Sequence, residues 1–116
     1  MALHDSAIVG FAEVPSVRRS TRDVWDIGAE IVESLIATTG VEKAQIDGMI
    51  LSSCSTGAGN IFWSQTTADQ LGLELDFCQS VDIGGCSPVA AISRAAMAID
   101  AGLCENVLCL FTDTQV

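Results

Sequence analysis

The chain has 116 residues, enough for one domain with a buried core and short for a complete α/β enzyme. Fifteen acidic against five basic residues give a formal net charge of −10, which argues against nucleic acid and anionic membrane as partners. At 49% hydrophobic, poor in aromatics and without Tyr, the composition suits helices packed closely on a buried sheet.

The first apolar run, Ala7 to Ala12, predicts a strand covered on both faces over 7–12, ended by Glu13-Val14-Pro15. Arg18, Arg19 and Arg22 follow in an otherwise acidic chain, and such a loop either binds phosphate or carboxylate or answers local acidic charge in solvent. Ser20 and Asp23 resemble a capping box, after which Val24, Ile27, Ile31, Val32 and Leu35 repeat at helical spacing and predict a helix over 21–39, stopped by Gly40. A polar connector with one helical turn leads to a buried strand over 48–53, and a βαβ pattern implies parallel pairing.

The small-residue loop Cys54 to Asn60 falls at the carboxyl end of that strand, where open α/β sheets place ligands, although it matches no nucleotide-binding motif. A helix over 61–71 follows, with Trp63, Thr67 and Leu71 on one side. The alternating segment 76–82 predicts a strand with one less-covered face, suited to a sheet edge.

Ser80 to Thr112 then reads as strand, glycine turn, helix, glycine stop and strand, with a helix over 87–101 and a strand over 106–112. Gly84-Gly85 turns the chain so that Cys86 and Ser87 fall at the helix N-terminus, with Ser87 able to cap it and Pro88 suited to its first position. Unpaired N–H groups there favour a thiolate or an anionic ligand. Cys86 is thus either a reactive thiol or a small packing residue. The five cysteines, at 54, 78, 86, 104 and 109, form no C-x-x-C and have no nearby histidine, so no metal is expected and the thiols read as reduced. His4, ahead of the first strand, reads as a solvated terminal residue. With no secretory leader and no long apolar run, the expectation is a soluble, cytoplasmic protein.

The central stretch, the Ala-Ile-Val-Gly opening and the connector Val41-Glu42-Lys43-Ala44-Gln45-Ile46-Asp47-Gly48 together resemble the N-terminal half of the thiolase superfamily, nearest to thiolase-like proteins of the sterol-carrier-protein type. The resemblance covers essentially the whole chain and implies an α/β fold in βαβαβαβ order. Four mainly parallel strands of a mixed five-stranded sheet would lie here, with helices on both faces, residues 1–116 forming the domain and a second half missing. It implies a coenzyme-A thioester as substrate, no bound cofactor, and making or breaking of a carbon–carbon bond, by an acyltransferase or by a retro-aldol lyase. A non-catalytic subunit assembling with a partner protein is the alternative.

In the family the nucleophile is a Cys at the start of the helix corresponding to 87–101. Cys86 is the catalytic candidate here, with Gly84, Gly85 and Ser87 against the substrate. Counting back from Gly102 and Ala95-Ala96, however, the nucleophile's position falls on Gly85, one residue before Cys86, and Pro88 stands where the family has Gly. On that count Cys86 faces neighbouring elements and reacts slowly. The family's other catalytic groups belong to its later half. Its habit of joining sheets implies a homodimer through the strand at 76–82.

Overall fold

A computed structural model describes residues 5–55, 57 and 59–114; His4 and two positions of the 54–60 loop lie outside the described residues. Six elements follow in chain order: α1 (Val24–Thr39), β1 (Gly48–Leu51), α2 (Trp63–Leu71), β2 (Phe77–Ser80), α3 (Ser87–Asp100) and β3 (Val107–Leu110), with 3-10 turns at Lys43–Gln45 and Gly84–Cys86. The strands form one sheet in the order β2-β1-β3, and both pairings are parallel.

The register explains the layering. Met49 pairs with Leu108 and Leu51 with Leu110, and all four join the larger core under α1 and α2, with Val24, Val32, Trp63 and Leu71. Ile50, between them, points to the opposite face, where it packs with Val81, Ala91 and Ala95. Successive strand side chains alternate faces, so the central strand is buried on both sides and α3 lies alone on the second. Helices thus cover both faces, as the sequence implies. Alanines at the α3 contact allow the helix to approach closely.

The expected helices are present, α1 and α2 with later starts and α3 from Ser87 as expected. Asp23, rather than Ser20, caps α1, its carboxylate accepting from Asp26 N at 2.8 Å. Ser20 Oγ instead bonds within its own turn, to the N–H and carbonyl of Arg22. Gly40 and Gly72 end α1 and α2, and the connector's turn carries a capping box between Glu42 and Gln45. Across the α1–α2 contact, the rings of Trp25 and Trp63 lie 5.5 Å apart, and Trp25 Nε1 donates to Thr67 Oγ1 at 3.3 Å.

Three expectations are corrected. Among the described residues the sheet has three strands, not four, and all are parallel. Residues 7–12 form no strand: Ile8, Val9 and Phe11 are more than 70% exposed, and Gly10 lies so close to Thr39 at the end of α1 that an added Cβ would collide with it. An apolar run becomes a strand only when a partner edge takes up its backbone groups, and this run lies along a helix. The strand expected over 76–82 also shortens, to Phe77–Ser80, and is half-buried throughout instead of alternating, although it does occupy an edge.

Asp47 fastens the start of the sheet. Its carboxylate accepts the N–H groups of Glu105 and Asn106 at 2.8–3.0 Å, and its carbonyl accepts those of Asp76 and Phe77. One residue thus ties the entrances of β2 and β3 to β1.

Candidate functional site

The turn that opens α3 follows β2 at the carboxyl end of the parallel sheet. Gly84 has a φ of +74°, which a side chain strains to adopt, and it begins the tight 3-10 turn Gly84–Cys86 that runs straight into the helix. Ser87 is buried and braces this turn from inside: its hydroxyl donates to Gly84 O at 2.8 Å and accepts from Ile83 N at 3.0 Å. It does not cap α3, as the sequence led one to expect. The N-cap is Cys86, without a side-chain cap bond, and Pro88 stands in the first turn.

Cys86 is exposed, and its thiol lies 3.1 Å from Ile83 O, as a donor. This corrects the expectation that it faces neighbouring elements. Because the turn is 3-10, Ser87 takes the inward position and Cys86 the outward one. Gly85 carries no side chain, its φ, unlike that of Gly84, is not positive, and a Cβ added there would meet no heavy atom within 4 Å. The position that the resemblance assigns to the nucleophile is therefore a bare stretch of backbone facing open space.

Two serine–aspartate clamps, which sequence reasoning missed, shape the rest of this end. Asp82, just beyond β2, accepts from the N–H and hydroxyl of Ser53, and Asp113, beyond β3, accepts from those of Ser55. Both serines follow β1, so the loop after the central strand is held from either side. The available signal was an Asp shortly after each flanking strand and serines at alternate positions after the central one.

Beyond β3 lies a cavity of about 330 Å³, bounded by the segment 12–17, by Ile27 and Ile31 of α1, and by 111–114. It lies on the α1 face, whereas Cys86 opens the helix on the other. Among the described residues no group of three or more His, Cys, Asp or Glu side chains is arranged to hold a metal ion, and no helix is long and apolar enough to cross a membrane.

No protein-family model matches the chain. The chain is similar to a steroid side-chain-cleaving aldolase of Thermomonospora curvata, 30% identical over 104 residues that make up 90% of this chain and 26% of that protein. It is also similar to beta-ketoacyl-(acyl-carrier-protein) synthase III 1 of Vibrio vulnificus, 32% identical over 93 residues, 78% of this chain and 29% of that protein. Among solved structures, the Ltp2-ChsH2(DUF35) aldolase superposes with a TM-score of 0.63 at 30% identity, over 78% of this chain and 22% of its own. The chain spans between a quarter and a third of the length of the curated relatives it matches. These relatives are enzymes, and they point to the thiolase-like, acyl-CoA-related group, without singling out its sterol-carrier-protein type.

Proposed function

We propose that this chain is the N-terminal part of a thiolase-like enzyme that breaks a carbon–carbon bond of a coenzyme-A thioester by retro-aldol cleavage. The observation that carries this reading is Gly85: where the resemblance places a nucleophile, the chain has no side chain and open space in front of the backbone. Two of the similar proteins are aldolases by name, which supports the same direction.

Retro-aldol chemistry suits such a site because it needs no covalent acyl intermediate. A base takes the proton of a β-hydroxyl, that oxygen becomes a carbonyl as the Cα–Cβ bond breaks, and the electron pair rests as a thioester enolate until Cα is protonated. In this reading Gly84 and Gly85 let the substrate approach the backbone closely, and Ser87 acts as a positioning residue by holding the turn. Proton transfer falls to groups beyond this chain. The protein acts in the cytoplasm, binds no cofactor of its own, pairs with a second copy through β2, and works with a partner subunit, a reading that the compound name of the Ltp2-ChsH2(DUF35) aldolase supports.

Acyl transfer through Cys86 is the second reading, favoured by the exposure of that thiol. In it the thiolate attacks the thioester carbonyl, and coenzyme A leaves as its thiol. The two separate experimentally. A β-hydroxyacyl-CoA is offered to the full protein and its Cys86→Ala variant, with mass spectrometry of the protein after quenching. Cleavage that survives the substitution, with no acyl adduct, is the expected result. A trapped acyl-Cys86 and a dead variant would overturn the retro-aldol reading.

A further inference from the structure

We propose that Arg18 and Arg19 bind a phosphate group of a small anionic ligand at the rim of the cavity beyond β3. The argument begins with charge. Five basic residues face fifteen acidic ones, so carboxylates outnumber cations three to one. Arg22 is paired, reaching Glu30 at 3.1 Å and the carbonyl of Asp26 at 3.0 Å, and Arg94 donates to Gln79. Arg18 and Arg19 are exposed and, among the described residues, make neither an ion pair nor a side-chain hydrogen bond. Two adjacent guanidinium forks left free in so acidic a chain are suited to an anion that the chain itself does not supply. Phosphate oxygens match them, because each fork can donate two parallel N–H bonds.

Placement gives the second, independent argument. The neighbours Ser16, Val17 and Ser20 line the 330 Å³ cavity, which lies at the carboxyl end of β3, the end of an open parallel sheet where ligands bind. Ile27, Ile31 and Phe111 give that cavity apolar walls, while Glu13 and Asp113 also line it. These two carboxylates repel an anion inside. A ligand with a phosphate at one end and an uncharged arm at the other would therefore seat the arm in the cavity and its charge at the rim, beside the segment that carries the arginines. At physiological salt, charges more than ~8 Å apart are largely screened, so contact with two cations outweighs the distant acidic surface.

The site stands on these observations alone; reading its ligand as the phosphates of coenzyme A rests on the proposed function. Calorimetric titration of the protein with inorganic pyrophosphate and, separately, with coenzyme A tests both. Arg18→Ala/Arg19→Ala is expected to weaken each by about tenfold or more, the scale of one charge-assisted hydrogen bond. Arg18→Lys/Arg19→Lys, which keeps the charge and loses the fork, should fall between. Circular dichroism should be unchanged, since among the described residues neither side chain holds an ion pair or a side-chain hydrogen bond. Arginine-dependent binding of pyrophosphate without binding of coenzyme A would keep the anion site and sink the coenzyme-A reading. Failure of the wild type to bind either probe, or undiminished binding by the alanine variant, would overturn the site itself.

Discussion

Asp82 Oδ1 accepts both the backbone N–H and the hydroxyl of Ser53, at 2.8 and 3.0 Å, and so joins the ends of β2 and β1 across 29 residues of chain. Hydrogen bonds to a charged acceptor are stronger than neutral ones, but exposure to water discounts them. Asp82→Ala should cost about 1 kcal/mol, read from urea unfolding. In a double-mutant cycle with Ser53→Ala the two losses should fall short of adding, since either change removes the same hydroxyl bond. Strict additivity would show that the hydroxyl contact contributes nothing.

The α3 contact makes a sharper test of packing. Ala91 is 0% exposed against Ile50 and Val81, whereas Ile92, the next residue, is 47% exposed. Ala91→Leu forces extra volume into a closed layer and should cost about 1–3 kcal/mol. Ile92→Ala should cost well under about 1 kcal/mol. If the two changes cost the same, α3 does not lie on the sheet by this face.

Exposure ranks the thiols. Cys86 is exposed, Cys78 and Cys109 are half-buried, and Cys54 and Cys104 are buried. Iodoacetamide should label Cys86 first in the native protein, and the other four should follow only as the chain opens. Equal labelling of all five under native conditions would contradict the packing described. Such labelling reports access, so the catalytic question is left to the adduct experiment above.

Alkaline pH should destabilise the fold. Burial pushes the Cys109 thiol above its ordinary value of 9.0, and burial does the same to Cys78 against an opposing hydrogen bond with Ser64. For Cys104 burial is the largest cause, with the carboxylates of Asp47 and Asp76 adding to it. A group whose folded pKa is raised contributes stability that is fully present below its unfolded pKa. That contribution is lost as pH rises toward and through the folded value, because the unfolded chain releases its proton first. The urea midpoint should therefore fall once pH exceeds 9.0, and Cys109→Ala should make the fall shallower. An identical slope in that variant would show that Cys109 ionises alike in both states.

The free outer edge of β2 is expected to pair with the same strand of a second copy, as a two-fold contact adds one edge to its own equivalent. Sedimentation of the full protein should show a dimer at micromolar concentration. A strict monomer would count against this contact.

What could be read in advance was mostly local. The three helices end at residues that the sequence displays openly, Gly40, Gly72 and Gly102, and their apolar spacing lies within a single segment. The strand expected over 7–12 was misread because strand formation depends on a distant partner, which an apolar run cannot reveal about itself. The clamps were hidden for a related reason: Ser53 and Ser55 lie 29 and 58 residues from their aspartates, and only the folded sheet brings them together. Around Cys86 the helix start was legible from Gly84-Gly85 and Pro88. The choice between inward and outward side chains was not, because it turns on one extra 3-10 turn before α3.

Gly84 and Gly85 stand side by side under unlike physical constraints. At Gly84 the backbone itself rejects a side chain, so folding alone suffices to hold glycine there. At Gly85 neither the backbone angle nor any neighbour in this chain objects, and a single base change turns two of the four glycine codons into cysteine. A library of random substitutions screened only for folded protein should therefore be purged at Gly84 and tolerant at Gly85. Any intolerance at Gly85 that emerges when the same library is screened for activity then measures what the reaction, rather than the fold, demands of that position.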